Sequence, residues 1–269
     1  MANLLKVAGL ARSTFYYQQK ALQAVDKYTA LKARIRALFE QHKGRYGYRR
    51  ITLAIRQTGE LINHKTVARL MTQLQLKSLV RLKKYRSYKG LVGRIAPNIV
   101  QRQFYAQGPH QKWVTDVTEF NVSGQKLYLS PVMDLYNGEI IAYQTARSPV
   151  FEMVSAMLKK AFTRLKLSDK PILHSDQGWQ YQMPGYRYLL EKNGIEQSMS
   201  RKGNCLDNAA MESFFGTLKS EFFYLNKFSS IEDLQAGLED YIHYYNHDRI
   251  KLKLKGLSPV QYRTQPNQA

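Results

Sequence analysis

The sequence predicts an α/β domain, a mixed sheet flanked by helices, preceded by an all-α basic region. Three observations carry this. Asn137-Gly138 sits between two apolar runs, Lys126 to Leu135 and Glu139 to Ala146, which is a strong hairpin signal. Met211, Phe214, Phe215, Leu218 and Phe222 recur at helical spacing and form one stripe for a core. Charge is divided unevenly: residues 1–100 hold 21 Lys/Arg against 3 acids, and residues 101–269 hold 20 against 17. A basic helical module over 1–100 and an α/β module over 101–269, ending in a helical tail, are therefore expected.

Within the basic module, Leu4 to Tyr17 reads as a short helix, a turn at Gly9 and a second helix capped by Ser13. Lys27 to His42 spells an amphipathic helix with Leu31, Ile35, Leu38 and Phe39 on one side. Gly44 onward opens a helix to about Arg56 that carries Arg49 and Arg50. Thr58-Gly59 turns the chain, and Asn63 caps a second helix from His64 to about Leu74. There Val67, Leu70, Met71 and Leu74 face inward, which leaves Lys65, Arg69 and Gln73 on the open side. This is a helix-turn-helix pattern over about 44–76, whose second helix suits a major groove; a helical hairpin touching only phosphate shares the pattern. Arg81 to Lys89 interleaves basic residues with tyrosines, as either a backbone-tracking segment or a solvated linker would. The module boundary falls near 100–108, after Ala96-Pro97-Asn98.

The second module opens with Trp113 to Phe120, whose β-branched and aromatic residues predict one strand with Asp116 and Glu119 on opposite faces. After the hairpin come a helix from Val150 to Leu165 and a strand from Ile172 to Asp176. A helix around Tyr186 to Lys192, stopped by Asn193-Gly194, precedes a strand from Ile195 to Met199. The striped helix around Glu212 follows, then a helix from Ile231 to Tyr245 with Leu234, Leu238, Tyr241, Ile242 and Tyr245 inward.

Three carboxylates stand out in this order. Asp116 lies on a strand, Asp176 ends the short apolar strand, and Glu212 lies on the striped helix, with 35 residues between it and Asp176. Carboxylates on two strands and a helix can hold two divalent cations about 3.5–4 Å apart, which activate an attacking oxygen and stabilise a leaving oxygen of a phosphodiester. Lys219 leaves the same rim of the helix as Glu212 and is placed for a phosphate; Arg201 and Lys202, in the loop before it, are placed to meet DNA. Asp134, Glu119 and Asp207 read as structural: Asp134 as a partner for turn amides, Asp207 as a cap or first-turn residue. His174 reads either as a hydrogen-bonded structural residue or as support for the site.

A formal net charge of +21 favours a polyanionic partner. The single cysteine, Cys205, excludes an internal disulfide and a cysteine-built zinc site. With neither a secretory signal nor an apolar run long enough to span a bilayer, a soluble intracellular, cytoplasmic protein with no membrane partner is expected.

Four blocks carry a family resemblance: W-V-T-D-V-T-E-F at 113–120, H-S-D-Q-G-W-Q-Y at 174–181, S-R-K-G-N-C-L-D-N-A-A-M-E-S-F-F-G-T-L-K-S-E at 200–221, and Y-I-H-Y-Y-N-H-D-R-I-K-L-K-L-K-G-L-S-P-V-Q-Y at 241–262. In this order they resemble the retroviral-integrase-like transposases, specifically the OrfB proteins of the IS3 family of bacterial insertion sequences. The resemblance implies a ribonuclease H-like, integrase-type catalytic core, with Asp116, Asp176 and Glu212 as the DDE catalytic and metal-binding triad. It also implies two Mg²⁺ ions, with Mn²⁺ able to substitute, and double-stranded DNA at element ends and target as substrate. The expected partners are an OrfA product, or an OrfAB fusion, and further copies of the chain on DNA. The family pattern often has His where this chain has Lys251, so no chemical step is assigned there. Two other classes share parts of the pattern: a catalytically inert DNA-binding regulator, and a plain ribonuclease H. A tyrosine recombinase lacks its Arg, His-x-x-Arg, Tyr set here.

Overall fold

A computed structural model describes residues 11–23, 26–79, 95–201 and 208–265, together with Leu5, Val7 and Gly9. The chain divides into two compact units, Met1–Ser78 and Leu79–Ala269.

The first unit holds α1 (Arg12–Gln23), α2 (Thr29–Gln41), α3 (Tyr48–Gln57) and α4 (His64–Gln73). Helix α1 begins at Arg12, so Ser13 lies inside its first turn rather than capping it. Ile35 of α2, Ile51 and Ile55 of α3, and Val67 and Leu70 of α4 are completely buried, along with Tyr46 of the preceding loop. These residues form the small core that fixes α3 against α4. The turn between the two helices uses Gly59 at φ +88, a left-handed conformation that glycine adopts without a Cβ penalty. Asn63 caps α4, its side chain accepting the Lys65 N–H at 2.9 Å. The predicted helix-turn-helix is present, with α4 ending one residue earlier than expected. The basic run Arg81 to Lys89 lies outside the described residues.

The second unit is a six-stranded mixed sheet. Its strands are β1 (Lys112–Thr115), β2 (Thr118–Val122), β3 (Gln125–Asp134), β4 (Glu139–Ala146), β5 (Ile172–Ser175) and β6 (Glu196–Met199). Strands β1 and β2 follow one another along the same edge of β3: β2 pairs with Gln125–Leu129 and β1 with Val132–Asp134, both antiparallel. Strand β4 covers the other edge of β3. Strands β5 and β6 extend the sheet in parallel beyond β1. The expected single strand over Trp113 to Phe120 is thus two strands, interrupted at Asp116-Val117. Residues 96–100, which the sequence places at the end of the basic module, bond to β6: Ile99 N–H donates to Ser198 Oγ at 2.9 Å and Met199 N–H to the Pro97 carbonyl at 3.2 Å.

Helices cover both faces because side chains alternate along the strands. Val114, Phe120, Leu127, Leu129 and Met133 pack against α7 (Ala209–Glu221) and α8 (Ile231–His247), through Met211, Phe214, Leu218, Leu234, Leu238 and Tyr241. Trp113, Val132 and Leu173 face the other way. They meet α5 (Phe151–Phe162) and α6 (Pro184–Lys192) through Val154, Met157, Leu158, Tyr186 and Leu190. A last short helix, α9 (Pro259–Thr264), opens on a capping box between Ser258 and Gln261. No helix among the described residues is long and apolar enough to cross a membrane.

Candidate active site

The break between β1 and β2 has a local cause. Strands β1 and β2 pair with β3 in one register, and between them Asp116 falls opposite Pro131, which has no N–H to give the ladder and whose carbonyl accepts Thr115 Oγ1 at 2.9 Å; the Asp116 side chain accepts the N–H of Val117 through Oδ1 at 2.7 Å. The carboxylate is thereby fixed at the C-terminal end of β1. Parallel pairing sets its neighbour. Lys112, Trp113 and Val114 pair in register with Ile172, Leu173 and His174, and the same register carried past the ladder brings Asp116 level with Asp176. Adjacent strands lie about 5 Å apart, so these two acids leave the sheet side by side. Asp176 Oδ1 accepts the N–H of Gly178 at 2.8 Å, which orients it.

Glu212 arrives from α7. The residue before that helix, Asn208, is buried and its Nδ2 donates to the Thr115 carbonyl at 3.4 Å, so the helix begins against the end of β1. The first turn of α7 carries Glu212.

The electrostatics report the same convergence. Burial pushes the Asp116 carboxyl well above the usual carboxylate range, the charge of Asp176 pushes it further, and Glu212 adds to the effect, against the opposing pull of the Val117 N–H and the Lys219 ammonium. Burial likewise raises Asp176, against the stabilising N–H of Gly178. Tyr181, buried, has its phenol raised first by burial and then by both Asp116 and Asp176, which places it near the two acids.

Carboxylate oxygens are hard donors of the kind Mg²⁺ takes, and a divalent cation would offset the repulsion that raises Asp116. The donor chemistry therefore fits such a metal. Among the described residues, however, no three His, Cys, Asp or Glu side chains are gathered closely enough to hold an ion as they stand. Ligation by all three acids requires side-chain movement from these positions.

Lys219 lies in the last turn of α7, half-buried, its Nζ 5.2 Å from the centre of the Phe120 ring and close enough to lower the Asp116 carboxyl. Arg201 is exposed just after β6, while Lys202, Cys205 and Asp207 lie outside the described residues. Glu119 stands apart from the acids, bonded to Tyr128 Oη at 2.7 Å and Lys126 Nζ at 3.1 Å. Asp134 is completely buried and accepts the N–H groups of His110 and Tyr136, both at 3.0 Å, and a bond from Arg263. Its structural reading holds. His174 is buried with Nδ1 2.8 Å from Ser198 Oγ, a bond that joins β5 to β6. Lys251 Nζ donates to the Gly138 carbonyl at 3.0 Å and sits over the Tyr245 ring; burial and the charge of Arg249 lower it to about 7.

In the other unit, Lys65, Arg69 and Gln73 are exposed along α4, as predicted. Arg69 also lies over the Tyr28 ring at 5.3 Å. On α3, Arg49 is exposed and bonds Tyr48 Oη at 3.2 Å, while Arg50 is half-buried over Tyr46.

Sequence reasoning missed Tyr181 and Asn208 as parts of the site. Tyr181 stands in the block that contains Asp176, and a tyrosine five residues past an acid in an otherwise polar run is the signal that could have found it.

Comparison with known proteins agrees with this geometry. Integrase core domain families match residues 106–205 and 212–266, and an HTH-like domain family matches residues 27–84. The putative transposase InsK for insertion sequence element IS150 of Escherichia coli K12 is 57% identical over 262 residues, covering 97% of this chain and 93% of that protein. Transposase InsF for insertion sequence IS3A of the same organism is 35% identical over 231 residues, covering 84% of this chain and 79% of that one. Among solved structures, a chain of the simian T-cell lymphotropic virus intasome in complex with PP2A regulatory subunit B56 gamma superposes with a TM-score of 0.51 at 14% identity, over 87% of this chain and 76% of that one. That likeness concerns the fold, which is the ribonuclease H-like integrase core. The chain belongs to the IS3 family of insertion-sequence transposases and is, in that class, a DDE-type polynucleotidyl transferase.

Proposed function

We propose that the chain cleaves and joins DNA strands at the ends of an insertion sequence, with Asp116, Asp176 and Glu212 as its catalytic and metal-binding carboxylates. The observation that carries this is their convergence: two acids in one register at the ends of β1 and β5, and a third on the helix whose start is bonded to β1. Two divalent cations on these acids, Mg²⁺ or Mn²⁺, would supply activation of the attacking oxygen and stabilisation of the leaving one.

The protein's own contribution is placement. The Val117 and Gly178 N–H groups each bond one oxygen of Asp116 and Asp176, which keeps both carboxylates at the ends of β1 and β5, from where side-chain adjustment brings them together with Glu212. Lys219 brings positive charge to the same rim, suited to a phosphate beside the scissile one. In the first step water frees a 3′-hydroxyl at the element end. That hydroxyl attacks a second phosphodiester in line on the same strand, displaces the 3′-oxygen of the flanking DNA and closes a circular intermediate; water then frees 3′-hydroxyls again at the junction, and these attack the target, each displacing a target 3′-oxygen. No covalent protein intermediate is formed.

We assign the first unit, ending at Ser78, to DNA binding and the second, from Leu79, to catalysis, since residues 96–100, which the sequence places in the basic module, bond to β6. Lys65, Arg69 and Gln73 of α4 face the major groove, Arg49 and Arg50 of α3 contribute further DNA contacts, and Arg201 and Lys202 meet the strand near the acids. An OrfA product or OrfAB fusion supplies further end recognition, several copies act together on DNA, and the reaction takes place in the bacterial cytoplasm at the nucleoid.

Nicking of supercoiled DNA by purified protein tests this reading. Mg²⁺-dependent nicks, abolished by chelation and by Asp176→Asn, are expected. DNA binding without nicks, with or without the upstream partner, would instead favour the inert regulator. Preferential cutting of an RNA–DNA hybrid would favour a ribonuclease H.

A further inference from the structure

Directly after Asp176 the chain makes a 3-10 turn, Trp179–Gln182. Gln180, Tyr181 and Gln182 are buried, yet Trp179 at the start of the turn is 51% exposed. The turn is held from several sides by glutamine amides. Gln177 Nε2 donates to the Ser200 carbonyl at 3.0 Å, Gln180 Nε2 to Pro149 at 3.3 Å, and Gln197 Nε2 to Tyr181 at 2.8 Å. Gln182 Nε2 closes the turn on the Gln177 carbonyl. An indole is thus presented to solvent on a clamped platform three residues from an acid of the site. The fold does not need it there, since the core indole is Trp113, completely buried.

A flat, apolar ring fixed beside carboxylates has one natural complement in a nucleic acid substrate, the face of an unstacked base. Bases in an intact duplex are stacked on one another; a base at a strand end or at a distorted step is not. We propose that Trp179 stacks on an unpaired nucleobase adjacent to the phosphodiester engaged by Asp116 and Asp176. The assignment rests on the reading of those acids as the strand-transfer centre. The base comes either from a frayed element end or from distorted target DNA, and both present the same π face.

The chain has two tryptophans, one buried and one exposed, so its own emission reports the contact. Wild type, Trp179→Phe and Trp179→Ala are titrated with three DNAs. These are a blunt 30-base-pair duplex, the same duplex with three unpaired nucleotides at one 3′ end, and the same duplex with a central two-base mismatch. Binding is followed by polarisation of a label on the DNA, and folding of each variant by circular dichroism. Wild-type emission should fall on binding the overhang DNA, the mismatch DNA or both, and change little with the blunt duplex. Quenching by the overhang assigns the base to the element end, and quenching by the mismatch to the target. Trp179→Phe should bind without quenching, and Trp179→Ala should lose roughly 5- to 100-fold in affinity for the quenching DNA relative to the blunt duplex. Equal quenching by all three DNAs, quenching that survives in Trp179→Phe, or unchanged preference in Trp179→Ala would overturn the proposal. If Mg²⁺-dependent nicking persists in that case, the stacking fails alone; if DNA is neither bound nor nicked, the catalytic reading fails with it.

Discussion

Gly178 donates its N–H to Asp176 Oδ1 at 2.8 Å and leaves no room above it: a Cβ on Gly178 would lie 3.0 Å from that oxygen and 3.2 Å from Tyr181 Cδ2. Its backbone, at φ −57 and ψ 142, is open to any residue. Gly178→Ala is therefore expected to fold, with a melting temperature close to wild type, while the added methyl displaces the Asp176 carboxylate. Misplacing a catalytic group by an ångström costs about 100-fold in rate. Strand-transfer rate and melting temperature measured on the same preparation check this, and an unchanged rate would remove Asp176 from the chemistry.

Asp116 gives a pH and metal signature. Its carboxyl lies above the ordinary value of 3.8, first through burial and then through Asp176. Between that value and the raised one, the folded chain keeps a proton that the unfolded chain has released, so the stability it contributes is present in acid and lost as pH rises through the folded value. Metal-free protein should therefore melt lower at neutral pH than Asp116→Asn does. Mg²⁺ should raise the melting temperature of wild type and leave that of Asp116→Asn nearly unchanged. Calorimetry of both proteins with and without Mg²⁺ reads all four values.

Arg249 closes a two-point ion pair on Glu221, with Nε and Nη2 each 2.7 Å from a carboxylate oxygen, and Tyr241 Oη donates to the same group at 3.1 Å. The pair is buried and ties the end of α7 to the chain beyond α8. Arg249→Met leaves Glu221 buried without its counter-charge, which costs about 3–5 kcal/mol. Urea unfolding should show that loss, and Glu221→Gln added to Arg249→Met should recover a large part of it.

The helix-turn-helix unit makes a prediction of its own. Lys65, exposed on the first turn of α4, is suited to a phosphate, so Lys65→Ala should weaken binding to all sequences alike and lower the salt dependence by about one unit of slope. Gln73→Ala should instead relax sequence preference and leave that slope unchanged. Binding isotherms at several salt concentrations separate the two.

Much of this molecule is legible in its sequence, for reasons that differ by element. The Asn63 cap and the Val67, Leu70, Met71 stripe predict α4 because both signals are local and agree. The hairpin at Asn137-Gly138 is likewise local: Gly138 adopts φ +69, which the sequence pair favours. The break at Asp116-Val117 was not legible. Trp113 to Phe120 alternates as a strand does, and the interruption falls where Asp116 lies opposite Pro131 of β3, a partner without an N–H that the periodicity of residues 113–120 does not encode. The registers that bring Asp116 level with Asp176, and the Asn208 bond that sets α7 on β1, depend on pairings between residues about 60 and 90 positions apart; residue type suggested that the three acids share a site, and no local signal gives the registers. Asp134 and Glu119 separate from the acids of the site once their partners are seen, Asp134 bonded to turn amides and Arg263, Glu119 to Tyr128.

The most direct test of one catalytic centre is joining of labelled DNA that carries the element's own ends, in Mg²⁺ and with the upstream OrfA segment supplied. Wild type is compared with Asp116→Asn, Asp176→Asn, Glu212→Gln and the triple variant. Residues that act as a unit lose activity together, so each single variant should fall about as far as the triple, by roughly 1,000-fold or more, while still binding the DNA. Joined products at near wild-type rate from any one of the single variants would contradict the account.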